Sequence, residues 1–195
     1  GPYSRRAAYD VIAQAMGGIM SITGHEGGPP TRVGASIGDL GSGLFAALGI
    51  LTALHDRANH AAGMKIDVAM LDSQVALLEN AITRYFATGE APKPLGARHA
   101  SIAPFEPYAT KDGYVVIACG NDELFVKFCR VMGRPDLSAD PHFATNRVRS
   151  DHVMLLKATL EDILQEHPTQ LWLDLRLPAG IPCAPINSVE DAVHD

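Results

Sequence analysis

The chain has 195 residues, of which 47% are hydrophobic and 19% charged, and its formal net charge is −6. This composition predicts a folded globular chain and excludes a largely disordered one, because the apolar side chains are sufficient to form a core. The acidic balance, without a clustered run of Lys and Arg, argues against a nucleic-acid-binding protein.

The sequence indicates neither a membrane span nor a metal site. Its longest strongly apolar stretch, Leu44 to Leu54, is shorter than the about 20 residues that a helix needs to cross a bilayer. The eight histidines are scattered without zinc-binding spacing. The cysteines Cys119, Cys129 and Cys183 are odd in number, which fits reduced thiols packed in a core. We therefore expect a cytoplasmic protein with no bound metal and no membrane partner.

The first predicted elements are a helix and a loop. An apolar periodic segment runs from Tyr9 to Met20, and Asp10 is interpreted as an acidic residue in its first turn. The segment from Gly24 to Arg32 combines paired glycines with paired prolines, which predicts a loop. His25 and Glu26 in this loop are candidates for an acid or base, although a plain surface loop accounts for such residues more often.

A longer helix follows, with Asp39 at its N-terminus. Leucines recur every three or four residues from Asp39 to about Ala58. First-turn N–H groups favour a carboxylate in that place, but simple capping is the more frequent reason for an aspartate there. Gly41, Gly43 and Gly49 cost this helix about 1 kcal/mol each, which indicates close approach by another element or a ligand.

The rest of the first half contributes one strand and one helix. Met64 to Ala69 is predicted to be a strand, and Leu71 to Thr88 a long helix ended by Gly89. Prolines and Gly96 then mark a domain boundary. A single strand cannot form a sheet, so we expect the first half to be part of a larger structure.

The second half is predicted to be a compact α+β unit. Phe105 to Thr110 and Tyr114 to Cys119 form a hairpin through the turn Asp112-Gly113, and Ala184 to Asn187 is a closing strand. Helices are predicted from Asp122 to Met132, from Asn146 to Glu166, from Thr169 to Arg176 and from Val189 onward.

A short polar segment precedes the hairpin. Arg98, His99 and Ser101 place a guanidinium, an imidazole and a hydroxyl within four residues, as an anion-contacting turn would. An ordinary exposed segment explains them equally well. The motifs of serine hydrolases, P-loop nucleotide hydrolases and Rossmann dehydrogenases are not present.

Ten short segments, taken in their order along the chain, identify a protein family more specifically than any one of them does. They are Gly1-Pro2-Tyr3, Tyr9 to Gly18, Thr23-Gly24, Gly27 to Pro30, Ile37 to Gly43, Arg98-His99, Ser101 to Pro104, Asp112 to Tyr114, Gly120-Asn121 and Gly180 to Ile186. Together they resemble the class III CoA-transferase family, which includes formyl-CoA transferase and carnitine CoA-transferase. The resemblance covers essentially the whole chain. Family members are about twice as long, which implies that this chain is a central and C-terminal-side fragment.

The resemblance also implies a fold and an assembly. By it, the protein is α/β, with residues 1–70 forming part of a Rossmann-like large domain. Residues 71–96 are a linker helix and loop, and residues 97–195 are a small α+β domain. The implied assembly is an interlocked homodimer.

The resemblance places the family's nucleophilic aspartate at Asp39. The implied reaction begins with attack of this carboxylate on an acyl-CoA thioester, giving a mixed anhydride that the CoA thiolate and an acceptor carboxylate then resolve. The CoA thioester is thus a substrate and not a permanently bound cofactor. Tyr9, Arg98 and His99 are the CoA-binding candidates, and Ala7 stands where formyl-CoA transferase has a CoA-contacting lysine. The segment around Arg98 replaces that enzyme's glycine-rich loop.

Two rival functions stay open. An α-methylacyl-CoA racemase would need two proton-transfer groups, and Tyr9 occupies the position of the histidine in its Gly-His-Asp motif, which favours the transferase. The other rival is a non-catalytic fragment or binding module that cannot assemble a CoA site.

Overall fold

The computed structural model describes residues 2–60, 62–176 and 178–194. Gly1, the first residue of the first matching segment, lies outside them. The chain divides into two compact units, Gly1–Gly96 and Ala97–Asp195. The first is helical in its described residues, and the second combines helices with a small sheet.

The first unit contains four α-helices within its described residues, joined by long irregular segments. The periodic segment at the start forms helix α1, which ends at Gly17, followed by a single 3-10 turn at Ile19–Ser21. Gly18 separates them with a left-handed φ of 88°, which favours glycine. The loop predicted from Gly24 to Arg32 is confirmed. The helices are α1 (Asp10–Met16), α2 (Ile37–His60), α3 (Met70–Ala76) and α4 (Asn80–Thr88).

Close approach at two glycines of α2 is confirmed. A Cβ added at Gly41 would lie 2.6 Å from Leu77 Cδ1, and one added at Gly49 would lie 3.0 Å from Ile66 Cγ2. Gly43 differs, because no described heavy atom lies within 4 Å of its Cβ position. The glycine pattern therefore reflects packing at two positions and open space at the third.

Two predictions for this unit are wrong. Met64 to Ala69 is irregular and not a strand, because no described strand of this unit lies beside it to satisfy its backbone groups. The helix predicted from Leu71 to Thr88 is two helices, broken at Glu79, whose φ of 52° is incompatible with a right-handed helix. The predicted end at Gly89 is confirmed by its left-handed φ of 74°.

Helix α2 exposes a row of large apolar side chains. Leu40, Leu44 and Leu51 are 58%, 69% and 64% exposed. The whole helix has 24 residues and is long and apolar enough to cross a membrane by length and composition alone. The prediction that the apolar stretch from Leu44 to Leu54 is too short to span a bilayer is therefore wrong for the helix as a whole. A core helix of a soluble protein meets the same criterion, so the absence of a membrane partner stays a prediction.

The second unit is built on a three-stranded antiparallel sheet in the order β1-β2-β3. The predicted hairpin is confirmed, with β1 at Phe105–Ala109 and β2 at Tyr114–Ala118. Thr110 N–H donates to the Gly113 carbonyl at 2.9 Å and closes the turn. The closing strand β3 is shorter than predicted and covers Cys183–Pro185.

Helices cover this sheet and form the core with it. Buried side chains of α5 and α7 pack with Tyr108, Val115 and Ile117 of the strands. Cys119 and Cys129 are buried thiols, and burial raises the pKa of the Cys129 thiol to about 12. The helix predicted from Asn146 to Glu166 is broken at His152. The helices are α5 (Asp122–Val131), α6 (Asn146–Asp151), α7 (Val153–Leu164), α8 (Thr169–Arg176) and α9 (Val189–His194), with a 3-10 helix at Pro135–Ala139.

Candidate active site

Asp39 lies in the first turn of α2 but does not cap it. The first helical hydrogen bond runs from the Leu40 N–H to the Ser36 carbonyl at 3.0 Å, so Ser36 precedes the helix and Asp39 is its third residue. The Asp39 side chain is exposed. Among the residues that the structure describes, it makes no hydrogen bond or ion pair. The frequent capping role therefore does not account for this carboxylate.

A second carboxylate supports the start of α2 from behind. Asp10 Oδ1 accepts a hydrogen bond from the Gly38 N–H at 2.8 Å, and Asp10 is only 7% exposed. This bond satisfies one of the N–H groups that a helix start leaves without an intrahelical acceptor. Asp10 is an acid in the first turn of its own helix, as predicted, and its carboxylate also binds the neighbouring helix.

Gln14, one turn after Asp10, extends this support to the segment before α2. Its Nε2 donates to Asp10 Oδ2 at 2.8 Å, and its Oε1 accepts from the Val33 N–H at 2.8 Å. Gln14 is fully buried. The pair fixes residues 33–38 against α1, and so fixes the backbone from which Asp39 projects.

The helix surface near Asp39 is open at one neighbouring glycine and packed at another. Gly43 lies one helical turn beyond Asp39, so the two residues share a face of α2. No described heavy atom lies within 4 Å of the position that a Gly43 Cβ would occupy. Gly41 does not provide such space, because Leu77 packs against it. The open volume near the carboxylate is therefore at Gly43.

Tyr9 lies beside this arrangement. It is 79% exposed and has an extended backbone just before α1. Tyr9 precedes Asp10 and Asp39 follows Gly38, so the Asp10–Gly38 hydrogen bond joins the two chain segments that carry these predicted residues. His25 and Glu26 lie in the exposed loop, where the His25 carbonyl accepts from the Gly28 N–H.

Arg98 and His99 belong to the second unit and are both partly buried. The His99 N–H donates to the Phe105 carbonyl at 3.0 Å, and His99 Nδ1 accepts from the Ser101 N–H at 3.2 Å. A backbone N–H can only donate, so this contact places the proton of a neutral His99 on Nε2. In that tautomer, Nε2 carries the hydrogen that the ring can donate.

The segment after His99 is held by two side chains of α6. Asn146 Oδ1 accepts from the Ala103 N–H at 3.0 Å, and its Nδ2 donates to the Ser101 carbonyl at 2.8 Å. The fully buried Arg149 donates from Nε to the Ala103 carbonyl at 2.6 Å and from Nη2 to Asp122 Oδ1 at 2.6 Å. These bonds make the segment a fixed part of the unit.

Sequence reasoning missed the polar residues that support these segments. Gln14, Gln74 and Arg149 are each fully buried, and none was selected as a candidate. A weak signal exists for the first, since Asp10 and Gln14 are polar residues spaced by one turn on an apolar helix. The sequence offers no comparable signal for the other two.

Known proteins resemble the chain along its whole length. The model of the family described as CoA-transferase family III matches residues 1–195. An acetyl-CoA:oxalate CoA-transferase from Acetobacter aceti is 44% identical over 195 residues, covering 100% of this chain and 50% of that protein. A succinyl-CoA:glutarate CoA-transferase from Mus musculus is 41% identical, covering 100% of this chain and 45% of that protein.

Solved structures give the same correspondence. A CAIB/BAIF family protein from Brucella suis has a TM-score of 0.83 at 39% identity, covering 100% of this chain and 52% of that one. A hypothetical protein from Mycobacterium tuberculosis has a TM-score of 0.87 at 27% identity, covering 100% and 52%. The chain thus spans about half the length of the curated relatives and of the solved structures that it matches.

Proposed function

Because the chain belongs to CoA-transferase family III, we propose that the complete protein carrying it moves CoA between an acyl-CoA thioester and a carboxylic acid. Asp39 is the proposed nucleophile. The observation that carries the proposal is the exposed Asp39 carboxylate in the first turn of α2, beside the open position at Gly43.

The proposed reaction is a series of acyl substitutions, in each of which a new bond to the acyl carbon forms and an existing one breaks. An Asp39 carboxylate oxygen attacks the thioester carbonyl carbon, the C–S bond breaks, and CoA leaves as a thiolate. The thiolate then attacks the aspartyl carbonyl of the mixed anhydride, which releases the first acid and leaves an aspartyl thioester. The acceptor carboxylate repeats the two steps in reverse, so no proton or water is consumed overall.

Three features support this chemistry at Asp39. The positive end of the α2 dipole favours negative charge in the first turn. The neighbouring helix-start N–H groups are suitable donors for a developing oxyanion. The open side of Gly43 leaves space for a thioester on the face of α2 that carries Asp39.

Tyr9, Arg98 and His99 enter the proposal as CoA-binding residues. The exposure of Tyr9 supports a role in contacting a substrate, since its phenol is available at the segment beside Asp39. The fixed segment at Ser101 to Ala103 and the donor at His99 Nε2 support binding of an anionic group in the second unit. The acyl donors and acceptors proposed for a first test are those of the two relatives: acetyl, succinyl, oxalate and glutarate.

The names of these relatives favour CoA transfer over the racemase reaction. Incubation with a 2-methylacyl-CoA in deuterated water separates the two functions. A racemase exchanges the α-hydrogen for deuterium without an acceptor acid, because its chemistry is proton transfer at that carbon. We expect no such exchange from the complete protein.

The proposal extends to the fold of the complete protein and to its setting. Residues 1–70 are proposed to belong to a Rossmann-like large domain, residues 71–96 to a linker, and the whole to an interlocked homodimer in the cytoplasm. The exposed apolar row on α2 supports packing within a larger structure, since large apolar surfaces of soluble proteins are normally covered.

The test is mass spectrometry of the complete protein after incubation with acetyl-CoA or succinyl-CoA and trapping with hydroxylamine. We expect a covalent adduct on the peptide that contains Asp39 and none in Asp39→Asn. Asp72→Asn is the matched control, because Asp72 is another exposed acid in the first turn of a helix. An adduct that persists in Asp39→Asn, or CoA transfer by that variant at the wild-type rate, would refute the assignment. The 195-residue chain tested alone decides between an active and a non-catalytic fragment.

A further inference from the structure

Gln74 on α3 is a buried polar side chain without a partner. The residue is 0% exposed, and neither Nε2 nor Oε1 makes a hydrogen bond within the described part of the chain. An unpaired buried amide costs about 1–3 kcal/mol. Packing alone does not account for a buried amide at this position, since methionine fills a similar volume without polar atoms.

Two glycines of other helices leave room for Gln74. A Cβ added at Gly17 would lie 2.4 Å from Gln74 Cγ, closer than two carbons can approach. A Cβ added at Gly38 would lie 3.4 Å from Gln74 Oε1 and 3.0 Å from Asp10 Oδ1. The carboxamide therefore lies at the start of α2, on the same side of Gly38 as the carboxylate that holds it.

The orientation of the amide group decides what Gln74 does there. The oxygen and nitrogen of a glutamine are interchanged by a half-turn of the terminal torsion, and the hydrogen-bond network normally determines which is correct. Of the three heavy atoms nearest that Gly38 Cβ position, the polar one besides Gln74 Oε1 is Asp10 Oδ1, a carboxylate oxygen, which only accepts. A half-turn would place Nε2 on the side of Gly38 that Asp10 Oδ1 also occupies, and would present an N–H donor there instead of a second acceptor.

We infer that Gln74 is a positioning residue for Asp39: its carboxamide donates to Asp10 and so fixes the carboxylate that holds the Gly38 N–H. Asp10 then receives donors from Gln14, Gly38 and Gln74. This arrangement fixes the first turn of α2 and the direction from which Asp39 attacks. The inference rests on the proposed function for its effect on rate, but its effect on the Gly38 hydrogen bond is independent of that function.

The test compares Gln74→Met and Gln74→Glu with wild type in the complete protein. Methionine keeps the packing and removes the donor. We expect a melting temperature slightly below that of wild type and faster amide hydrogen exchange at Gly38, because Asp10 loses a donor. We also expect a kcat about tenfold lower, with KM for the acyl-CoA within about twofold. Ser73→Ala is the matched control, because Ser73 is the neighbouring buried polar residue and its hydroxyl donates locally, to the carbonyl of Ala69 just before α3 at 3.0 Å.

A glutamate side chain supplies a hydrogen-bond donor only when it is protonated. The effect of Gln74→Glu on activity should therefore depend on pH. The activity of Gln74→Glu relative to wild type is expected to rise as pH falls, because protonation removes the repulsion with Asp10 and restores a donor. A role in packing alone predicts unchanged Gly38 exchange and unchanged kcat in Gln74→Met, and that result would overturn the inference. If wild type forms no Asp39 adduct and transfers no CoA, the proposed function fails, while the exchange at Gly38 still decides the role of Gln74.

Discussion

Asp10 and Gly38 are 28 residues apart, yet the carboxylate of the first accepts the backbone N–H of the second at 2.8 Å. The bond joins the start of α1 to the start of α2. It is charge-assisted and nearly excluded from water, so it is stronger than an exposed bond between neutral groups. The proposed nucleophile therefore projects from a helix start that a residue of another helix holds in place.

Replacing Asp10 with alanine tests this support. Asp10→Ala removes the acceptor of the Gly38 N–H and the shorter of the two hydrogen bonds that the Gln14 amide donates, so we expect a loss of about 3 kcal/mol in unfolding free energy. Urea denaturation measures the loss, and hydrogen exchange should quicken at Gly38. Asp56→Ala is the control, because Asp56 pairs with His60 on an exposed surface and should contribute under about 1 kcal/mol. Equal losses in both variants would contradict the prediction.

Two glycines of α2 should respond differently to alanine. Gly43→Ala introduces a methyl group into open space and a better helix former, so we expect a stability gain of about 0.5–1 kcal/mol. The same methyl group enters the space proposed for the thioester, so the activity should fall. Gly41→Ala should gain less or lose stability, because its Cβ would lie 2.6 Å from Leu77 Cδ1. Thermal melts and transferase assays of both variants check the pair, and a Gly43→Ala variant with full activity would contradict the assigned space.

Arg149 is expected to be essential to the second unit. Its removal leaves the half-exposed Asp122 without its ion-pair partner and two buried carbonyls without this donor. At about 1–3 kcal/mol for each unsatisfied carbonyl, we expect a cost of about 3–5 kcal/mol. Urea denaturation of Arg149→Ala measures the cost. Arg134→Ala is the matched control, since Arg134 also pairs with an aspartate but is exposed. A loss no larger than in the control would show that the buried bonds contribute little.

Asp112 should make the second unit sensitive to acid. The Thr169 N–H at 2.8 Å and the Thr169 hydroxyl at 2.9 Å both donate to Asp112 Oδ1 and hold the pKa of this carboxyl below its usual range. Its contribution to stability is thus complete above the unfolded pKa of about 4. It is lost as the pH falls below that value and through the lower folded one.

Melting temperatures measured from about pH 6 to pH 2 check this prediction. Asp112→Asn should show a smaller decrease toward low pH than wild type. The decrease in melting temperature of Thr169→Val should lie between those of wild type and Asp112→Asn, because this variant keeps the backbone donor and loses the hydroxyl. Parallel curves for all three proteins would contradict the assignment.

Local chemistry made several elements predictable from the sequence. The helix end at Gly89 follows from the left-handed conformation that a glycine allows. The hairpin follows from two strand patterns separated by a few turn residues. The leucine repeat predicted α2 and placed Asp39 in its first turn, because both depend only on neighbouring residues. The ordered motifs identified the family, which the family model confirms.

Local patterns could not predict where helices break or strands fail. Periodicity continues through residues 77–79, but Leu77 packs on Gly41 and Leu78 on Gly18, and the chain turns directly after them at Glu79. The strand pattern at Met64 to Ala69 has no described partner strand within its unit. Pairing and packing partners lie far away in sequence, and they override local preference.

The sequence by itself determined the family, the small sheet and the position of Asp39 at the start of a helix. Only the tertiary structure decided that Asp10 supports that helix start, that Gln74 lies beside it, and that Arg149 is buried. The physical reason is that a polar side chain is exposed or buried according to what other segments bring to it. That environment is created by residues distant along the chain, so no local pattern records it.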